Sequence, residues 1–435
     1  MPDDVQIPPE DLAGEAERPG RVPLLARLAV DLSPLRESRH FRNLWAGQAI
    51  SSIGNAITTV AVPVQVYELT GSTLWVGLLS IAALGPLLTV PLLGGAVADA
   101  VDRRRLVLLG NLALAGVSAA LVVNASLPEP ALWPLFVLEA VGTAAWGFTR
   151  PAMNTLAPKL VRDDQLEAAM ALEGIYSNFA AVAGPAVGGV LIAAIGLVGA
   201  YSIDLGTFAA GLATIWTLPA SPPEGASERA SLRSILDGLA FVRRTPALLG
   251  ILVVDTNAMI FGMPSALFPA LAHHYGGEAT VGFLYAAPYA GAFAASLGSG
   301  FTGHTRRQGL GVCVAAGIWG VAIAAVGFAD ALWLALVLLA VAGAADFVSA
   351  VLRSTILVRV TPDELRGRLF GIEWTQVAGA PALGNLEAGV VASFTSVRFS
   401  IASGGIACVA GTLLVALALP SFLRYDARAA RSAAP

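Results

Sequence analysis

Charge is scarce in this chain. Asp, Glu, Lys and Arg make up 13% of its 435 residues, where a soluble domain carries about 25%. Lysine is nearly missing: Lys159 stands beside 25 arginines. Only Cys313 and Cys408 represent cysteine, both inside apolar runs, which excludes a disulfide framework. The four histidines are scattered or adjacent rather than at chelate spacing, so neither a metal site nor a nucleophile with its base can be assembled from them. A membrane enzyme therefore lacks its machinery, and no cofactor is implied. No soluble domain or long outer loop is present, which argues against a non-transporting receptor. The net charge of −4 offers nothing to a nucleic acid. The first 20 residues carry Asp3, Asp4, Glu10, Asp11, Glu15 and Glu17. That composition suits a disordered cytosolic tail and not a cleavable signal peptide.

What the chain has instead is apolar length. Apolar types reach 56% and the mean hydropathy is +0.72. The sequence divides into blocks of about 20 apolar residues, enough to span about 30 Å of hydrocarbon. Twelve spans are predicted, over 43–67, 75–98, 106–126, 131–153, 168–194, 199–219, 247–271, 279–301, 309–329, 331–352, 370–393 and 398–422. With both termini on the cytosolic side, 23 of the 26 basic residues fall in the tails and inner loops. Arg398 falls in an outer loop, and Arg150 and Arg353 sit near the inner ends of spans four and ten. Such asymmetry follows the positive-inside rule, and moving the register by one span destroys it.

The expected fold is all-α and integral to the membrane, with twelve transmembrane helices in two pseudo-symmetric six-helix bundles. Residues 1–40 form the N-terminal tail, 41–219 the first half, 220–246 a cytosolic linker, 247–422 the second half and 423–435 the C-terminal tail. The linker begins with Pro222 and Pro223 and contains an amphipathic stretch, 232–242, expected to lie at the interface. Thr155, Lys159, Asp163, Asp164 and Glu173 recur two hundred residues on as Thr355, Arg359, Asp363, Glu364 and Glu373. Equivalent positions in two halves indicate parallel repeats.

Two motifs carry mechanism. The loop after span two contains Gly95, Asp99, Arg103 and Arg104. Asp99 can accept from a neighbouring helix N-terminus or an arginine and so lock adjacent helices; an ordinary basic inner loop explains the same residues. Span five contains Gly184-Pro185-Ala186-Val187-Gly188-Gly189. Small residues permit close helix approach and Pro185 invites a bend, which suits a gate or plain tight packing.

Together these features resemble the major facilitator superfamily, in which the Gly-Pro motif of span five is associated with exporters working as antiporters. The loop departs from the family pattern, with Ala100 for a basic residue and Asp102 for a glycine. Its second-half counterpart, Gly298 to Arg306-Arg307, has Thr302 for the acid. Val60–Val66, Leu127–Pro130, Phe268–Ala272 and Gly282–Ala287 are similar to the bacterial enterobactin exporter group. That resemblance implies outward movement of a siderophore; related proteins export drugs such as macrolides, so a multidrug pump is the alternative.

Ionisable residues inside the bilayer are costly and mark function. Glu139, Asp204, Asp255, Asp346, Glu373 and Glu387 qualify, with Arg150 and Arg353. Asp346 and Arg353 share a face two turns apart, and Glu139 and Arg150 share one about three turns apart. Either Glu139 or Asp346 is expected to bind a proton, with an arginine tuning it or steering substrate; snorkelling to the inner surface is the other role open to both arginines. Asp255 and Asn257 line a cavity or make structural hydrogen bonds. Asp204, near the outer end of span six, is expected to reach water. Glu173 and Glu373 are assigned gating contacts with inner-loop arginines. Trp45, Trp75 and Trp133 sit where interfacial anchors do. The expectation is a monomer in the bacterial cytoplasmic membrane that exchanges a small molecule for protons.

Overall fold

The computed structural model describes residues 31–221, 232–298 and 305–426, with the side chains of 91–100 and 232–237 outside that description. After a short helical turn, Ser33–Glu37, the first half contains α1 (Arg39–Thr70), α2 (Thr73–Ala100), α3 (Arg103–Ala125), α4 (Trp133–Leu156) and α5 (Leu166–Trp216). Helix α6 (Leu232–Arg244) follows the linker. The second half holds α7 (Pro246–Phe261), α8 (Phe268–His274), α9 (Glu278–Leu297), α10 (Gln308–Val326), α11 (Leu332–Val360), α12 (Asp363–Phe394) and α13 (Val397–Ala418).

These helices make twelve crossings. By length and apolarity, nine described segments can each cross a membrane. One of them contains α5, whose 51 residues would run about 77 Å if straight, more than twice the hydrocarbon thickness. Gly196 breaks it at φ 71° and ψ 178°, so its two limbs cross in opposite directions. Spans five and six are thus one chain of helical residues with a glycine hairpin, where the sequence predicts two helices and a loop. Helices α4 and α12 complete the set; they carry polar residues such as Glu139, Arg150 and Asn385, which line the cavity and lower their hydropathy.

Span seven departs further from expectation. The sequence predicts one helix over 247–271, but the helix ends at Phe261 and resumes at Phe268. Pro264 supplies no backbone donor. In hydrocarbon the freed groups need protein partners, and they have them. Trp319 Nε1 donates to the Gly262 carbonyl at 3.1 Å and the Tyr285 hydroxyl to the Ser265 carbonyl at 2.9 Å. The Ala266 amide donates to Asn385 Oδ1 at 3.0 Å.

The two halves pack alike. In the first, α2 and α3 flank α4, and α1 runs along α5. In the second, α9 and α10 flank α11, and α7 lies against α12 and α13. Between halves, α2 meets α12 and α5 meets α9, the pairing that a twofold axis along the membrane normal produces. The stretch expected to be interfacial forms α6, which rests on α7 and α12 with Val242 buried. At the start of α5, Arg162 pairs with Glu37 at 2.8 Å and donates to Asp164 at 3.0 and 3.1 Å. Those bonds hold the Asp164 carboxyl below the usual carboxylate range.

The halves meet closely at the end opposite the termini. Glycines there make the approach possible: a Cβ on Gly189 would strike the backbone of Gly282, and one on Gly282 would strike the Pro185 carbonyl. On the other flank Thr73 donates to the Gly389 carbonyl at 3.1 Å, and Gly77 abuts the Asn385 carbonyl. Tyr67 and His273 pack between halves, their rings tilted by 43° with centroids 5.5 Å apart. The Gly282→Leu variant should still insert, but its halves cannot close. A cysteine placed at Val62, buried at the closed end, should then react faster with an impermeant maleimide added from that side. An unchanged rate would show that this contact does not hold the end shut.

Candidate functional site

A cavity lies between the halves as two adjoining chambers of about 420 and 310 Å³. Both chambers share Asn55, Trp146 and Tyr285 in their walls. The larger begins beneath the closed end, at Val62 and Val76, and includes Glu139 and Asp204. The smaller continues toward the end carrying the termini, past Arg150, Met153 and Ser177. The inter-half contacts named above lie at the opposite end, so the structure is closed there and opens at the terminal-bearing end.

Arg150 does not reach away to the surface. Its guanidinium carbon lies 4.8 Å from the Trp146 ring centre and 5.4 Å from that of Trp374. Trp374 belongs to α12, so this contact bridges the halves across the cavity mouth. A cation over aromatic faces is held by the ring quadrupoles, and this one remains exposed. Glu139 is half-buried in the larger chamber, and no ion pair joins it to Arg150 among the described residues. The shared helix face therefore spreads the two charges along the cavity instead of coupling them.

In the second half the order of partners differs from the helix-face expectation. Arg353, buried, forms an ion pair with Asp255 of α7. Asp346, two turns away on its own helix, lies at 3.9 Å with its side chain 38% exposed. Gln376 of α12 donates to the second Asp255 oxygen at 3.0 Å, and Arg353 donates to Ser349 at 3.2 Å. A buried cation and anion thus satisfy each other, which leaves no need for Arg353 to snorkel. Asn257 faces elsewhere: it donates to the Cys408 carbonyl at 2.8 Å and to Thr412 at 3.3 Å. Two residues on from Asp255 is about 200° around the helix, so Asn257 packs on α13 and is removed from the cavity.

Asp204 overturns its expectation. Instead of reaching water it is 1% exposed, bonded to Thr58 and Ser118 at 2.7 Å each. Span six enters the membrane at Gly196, earlier than the sequence places it, which sets Asp204 two turns into the helix.

Gly184, Pro185, Gly188 and Gly189 of the span-five motif are buried, while Val187 between them is exposed. Gly184 and Gly188 face Ala56 and Ile57 of α1, while Gly189 faces α9; Pro185 borders the smaller chamber. Glu173 and Glu373 are half-buried on the terminal-side turns of α5 and α12. Gly95 and Asp99 fall on the last turns of α2, where the side chains lie outside the described residues, as does Thr302. The acid seen to act in this loop is Asp102, which accepts from the Arg105 amide at 3.0 Å and the Ser221 amide at 3.0 Å. Arg104 donates to the Trp216 carbonyl at 2.5 Å, and the Arg103 amide donates to the Ser221 carbonyl at 3.0 Å. The α2–α3 loop is thereby fastened to the end of α5. Asn385 was also invisible in the sequence: its Oδ1 accepts from Ser265 at 2.7 Å, and its amide donates to Ser80 at 3.1 Å, joining three helices above the cavity.

Twelve crossings in two related bundles around a central cavity define a membrane transporter of the major facilitator type. The chain belongs to the transmembrane secretion effector family, whose model matches residues 29–434. It is 32% identical over 391 residues to the enterobactin exporter EntS of Shigella boydii serotype 18, covering 89% of this chain and 93% of that one. The same figures hold for the enterobactin exporter EntS of Escherichia coli O139:H28. Among solved structures, the nucleoside transporter NupG has a TM-score of 0.71 at 12% identity, covering 89% of this chain and all of that one. A bacterial homolog of the human lysosomal transporter Spinster has a TM-score of 0.67 at 13% identity, covering 92% and 98%. These two share the fold.

Removing one member of the Asp255–Arg353 pair strands a buried charge, at a cost of about 3–5 kcal/mol. Arg353→Leu should therefore melt earlier in detergent than Asp255→Leu/Arg353→Leu, as followed by size-exclusion thermostability. Equal melting of the two variants would mean the pair is not a closed unit.

Proposed function

We propose that this protein exports an anionic, aromatic, siderophore-like molecule across the bacterial cytoplasmic membrane by alternating access, in exchange for protons. Both termini lie in the cytosol in this reading, as the basic residues of the inner loops favour, so the open cavity faces the cytosolic pool of cargo. The observation that carries the proposal is Arg150 held over Trp146 and Trp374 at the cavity mouth. A catecholate presents aromatic faces and negative charge together. Such a ligand can meet the guanidinium while stacking on either indole. The enterobactin exporters similar to this chain point to the same class of cargo.

Glu139 and Asn55 supply polar contacts deeper in the cavity, and the Asp255–Arg353–Gln376 network with Asp346 holds the second half rigid around it. The Gly184-Pro185-Gly188-Gly189 segment serves as the pivot, since it touches α1 within its own half and α9 in the other. Asp102, Arg103 and Arg104 stabilise the state open to the cytosol by tying the α2–α3 loop to α5, and Glu173 and Glu373 flank the opening. The protein acts as a monomer with no cofactor and catalyses no covalent step. A broader range of amphipathic drugs is the second reading, favoured by the leucine and valine lining of the larger chamber.

Inside-out vesicles with an acidified interior should accumulate radiolabelled enterobactin, and collapse of the pH gradient should abolish the accumulation. Arg150→Ala should raise the half-saturating concentration by about two- to fivefold, as an exposed cation–π contact of about 0.5–1 kcal/mol implies, with normal membrane levels. Accumulation of neutral dyes but not enterobactin would favour the multidrug reading. Indifference of all cargoes to the pH gradient would overturn proton exchange.

A further inference from the structure

Among the described residues each half contains one acid that is almost completely buried, and the two are treated differently. Asp255 has the Arg353 guanidinium. Asp204, on the second limb of α5, has only hydroxyls. Thr58 of α1 and Ser118 of α3 donate to its Oδ2 at 2.7 Å each. The nearby Thr207 hydroxyl is engaged by the Asp204 backbone carbonyl at 2.7 Å. Oδ1 is buried without a hydrogen-bond partner, and Asp204 forms part of the wall of the larger chamber. Among the described residues no ion pair reaches it.

The surrounding titratable groups supply no positive charge. From its own helix comes Tyr201, whose hydroxyl donates to Gln65 at 2.8 Å. From α1 comes Glu68 and from α4, across the chamber, Glu139; both act on the same Tyr201 electrostatically, as Asp204 does. From α3 comes neutral Ser118, and the second half contributes neutral Tyr285 and Asn385 to this chamber. An ionised carboxylate offers about four acceptor positions, and here two are filled. Its negative charge, buried inside the membrane with no cation paired to it among the described residues, is uncompensated. A proton on Oδ1 removes that charge while Oδ2 keeps both hydroxyls.

We propose that Asp204 is the group that carries the coupling proton, taken up and released at Oδ1 through the larger chamber. This rests on the proton-exchange reading above and names its site. Thr58, Ser118 and Asp204 all belong to the first half, so they move together. What alternates is the side of the membrane from which Oδ1 is reached. No bond other than the O–H bond forms or breaks: one proton enters Oδ1 from water on one side and leaves to water on the other.

The test uses the full-length protein in proteoliposomes with radiolabelled enterobactin, and a second measurement that needs no cargo. Asp204→Asn keeps the shape and the neutral state. It should lose accumulation driven by a pH gradient while retaining gradient-free exchange of labelled for unlabelled enterobactin. Asp204→Glu should restore part of the accumulation. Independently, dicyclohexylcarbodiimide, which modifies protonated carboxyls in apolar surroundings, should label Asp204 in the wild type, less as pH rises, and leave the ion-paired Asp255 unlabelled, as read by peptide mass spectrometry. Normal gradient-driven accumulation by Asp204→Asn, or no carbodiimide label at Asp204, overturns this assignment and leaves proton exchange standing. A wild type driven by a sodium gradient and not by a pH gradient overturns both.

Discussion

The halves meet backbone to backbone at two glycines, Gly189 on α5 and Gly282 on α9, with the Pro185 carbonyl lying against Gly282. No side chain separates the two backbones there. The closed end is completed by the α2–α12 packing on the other flank and by the Tyr67–His273 ring pair. In lipid, helix association gains little from the hydrophobic effect and relies on close packing and hydrogen bonds. Small residues at this crossing therefore give the close packing that helix association in lipid relies on. The same motif reaches α1 through Gly184 and Gly188, so movement between halves is tied to the packing within one.

The second constraint is the price of charge in hydrocarbon, and the two halves meet it in different ways. The second half neutralises Asp255 with Arg353 and closes the network with Gln376 and Ser349. In the first half, hydroxyls bond Asp204 and aromatic rings hold Arg150, and both residues belong to the cavity wall. Structural symmetry of the bundles thus coexists with chemical asymmetry: the buried acid of one half has an arginine and that of the other has hydroxyls. The broken span seven follows the same rule for backbone groups: each carbonyl or amide named at the break finds a side chain, and Asn385 serves this purpose while also reaching Ser80 of the other half.

Much of the fold was legible in the residues. Alternation of apolar blocks with arginine-bearing loops set the number of crossings, and the Gly-Pro motif fell where α5 packs on α1 and α9. The span boundaries were less legible. Gly196 carries one helical chain through a reversal that looked like a loop, and Pro264 divides a run that looked continuous. In the site, Glu139 and Arg150 do line the cavity, but Asn257 turned to α13 and Asp204 turned inward. Asp102, which looked like a flaw in a motif, is the residue that caps α3 and holds Ser221.

What the sequence determined by itself is what depends on counting: apolar length, charge placement, the half-repeat and the family. These follow from the bilayer, which acts on every segment separately and so leaves its imprint in linear order. Which acid faces which partner was decided only by the tertiary structure. Asp255 and Arg353 are about a hundred residues apart, and Asp204 meets Thr58 and Ser118 from two other helices. Each residue turns a helix by about 100°, so a boundary error of one or two residues exchanges an arginine for a hydroxyl. The packing of helices, fixed by the glycines at their crossings, is what assigns those partners.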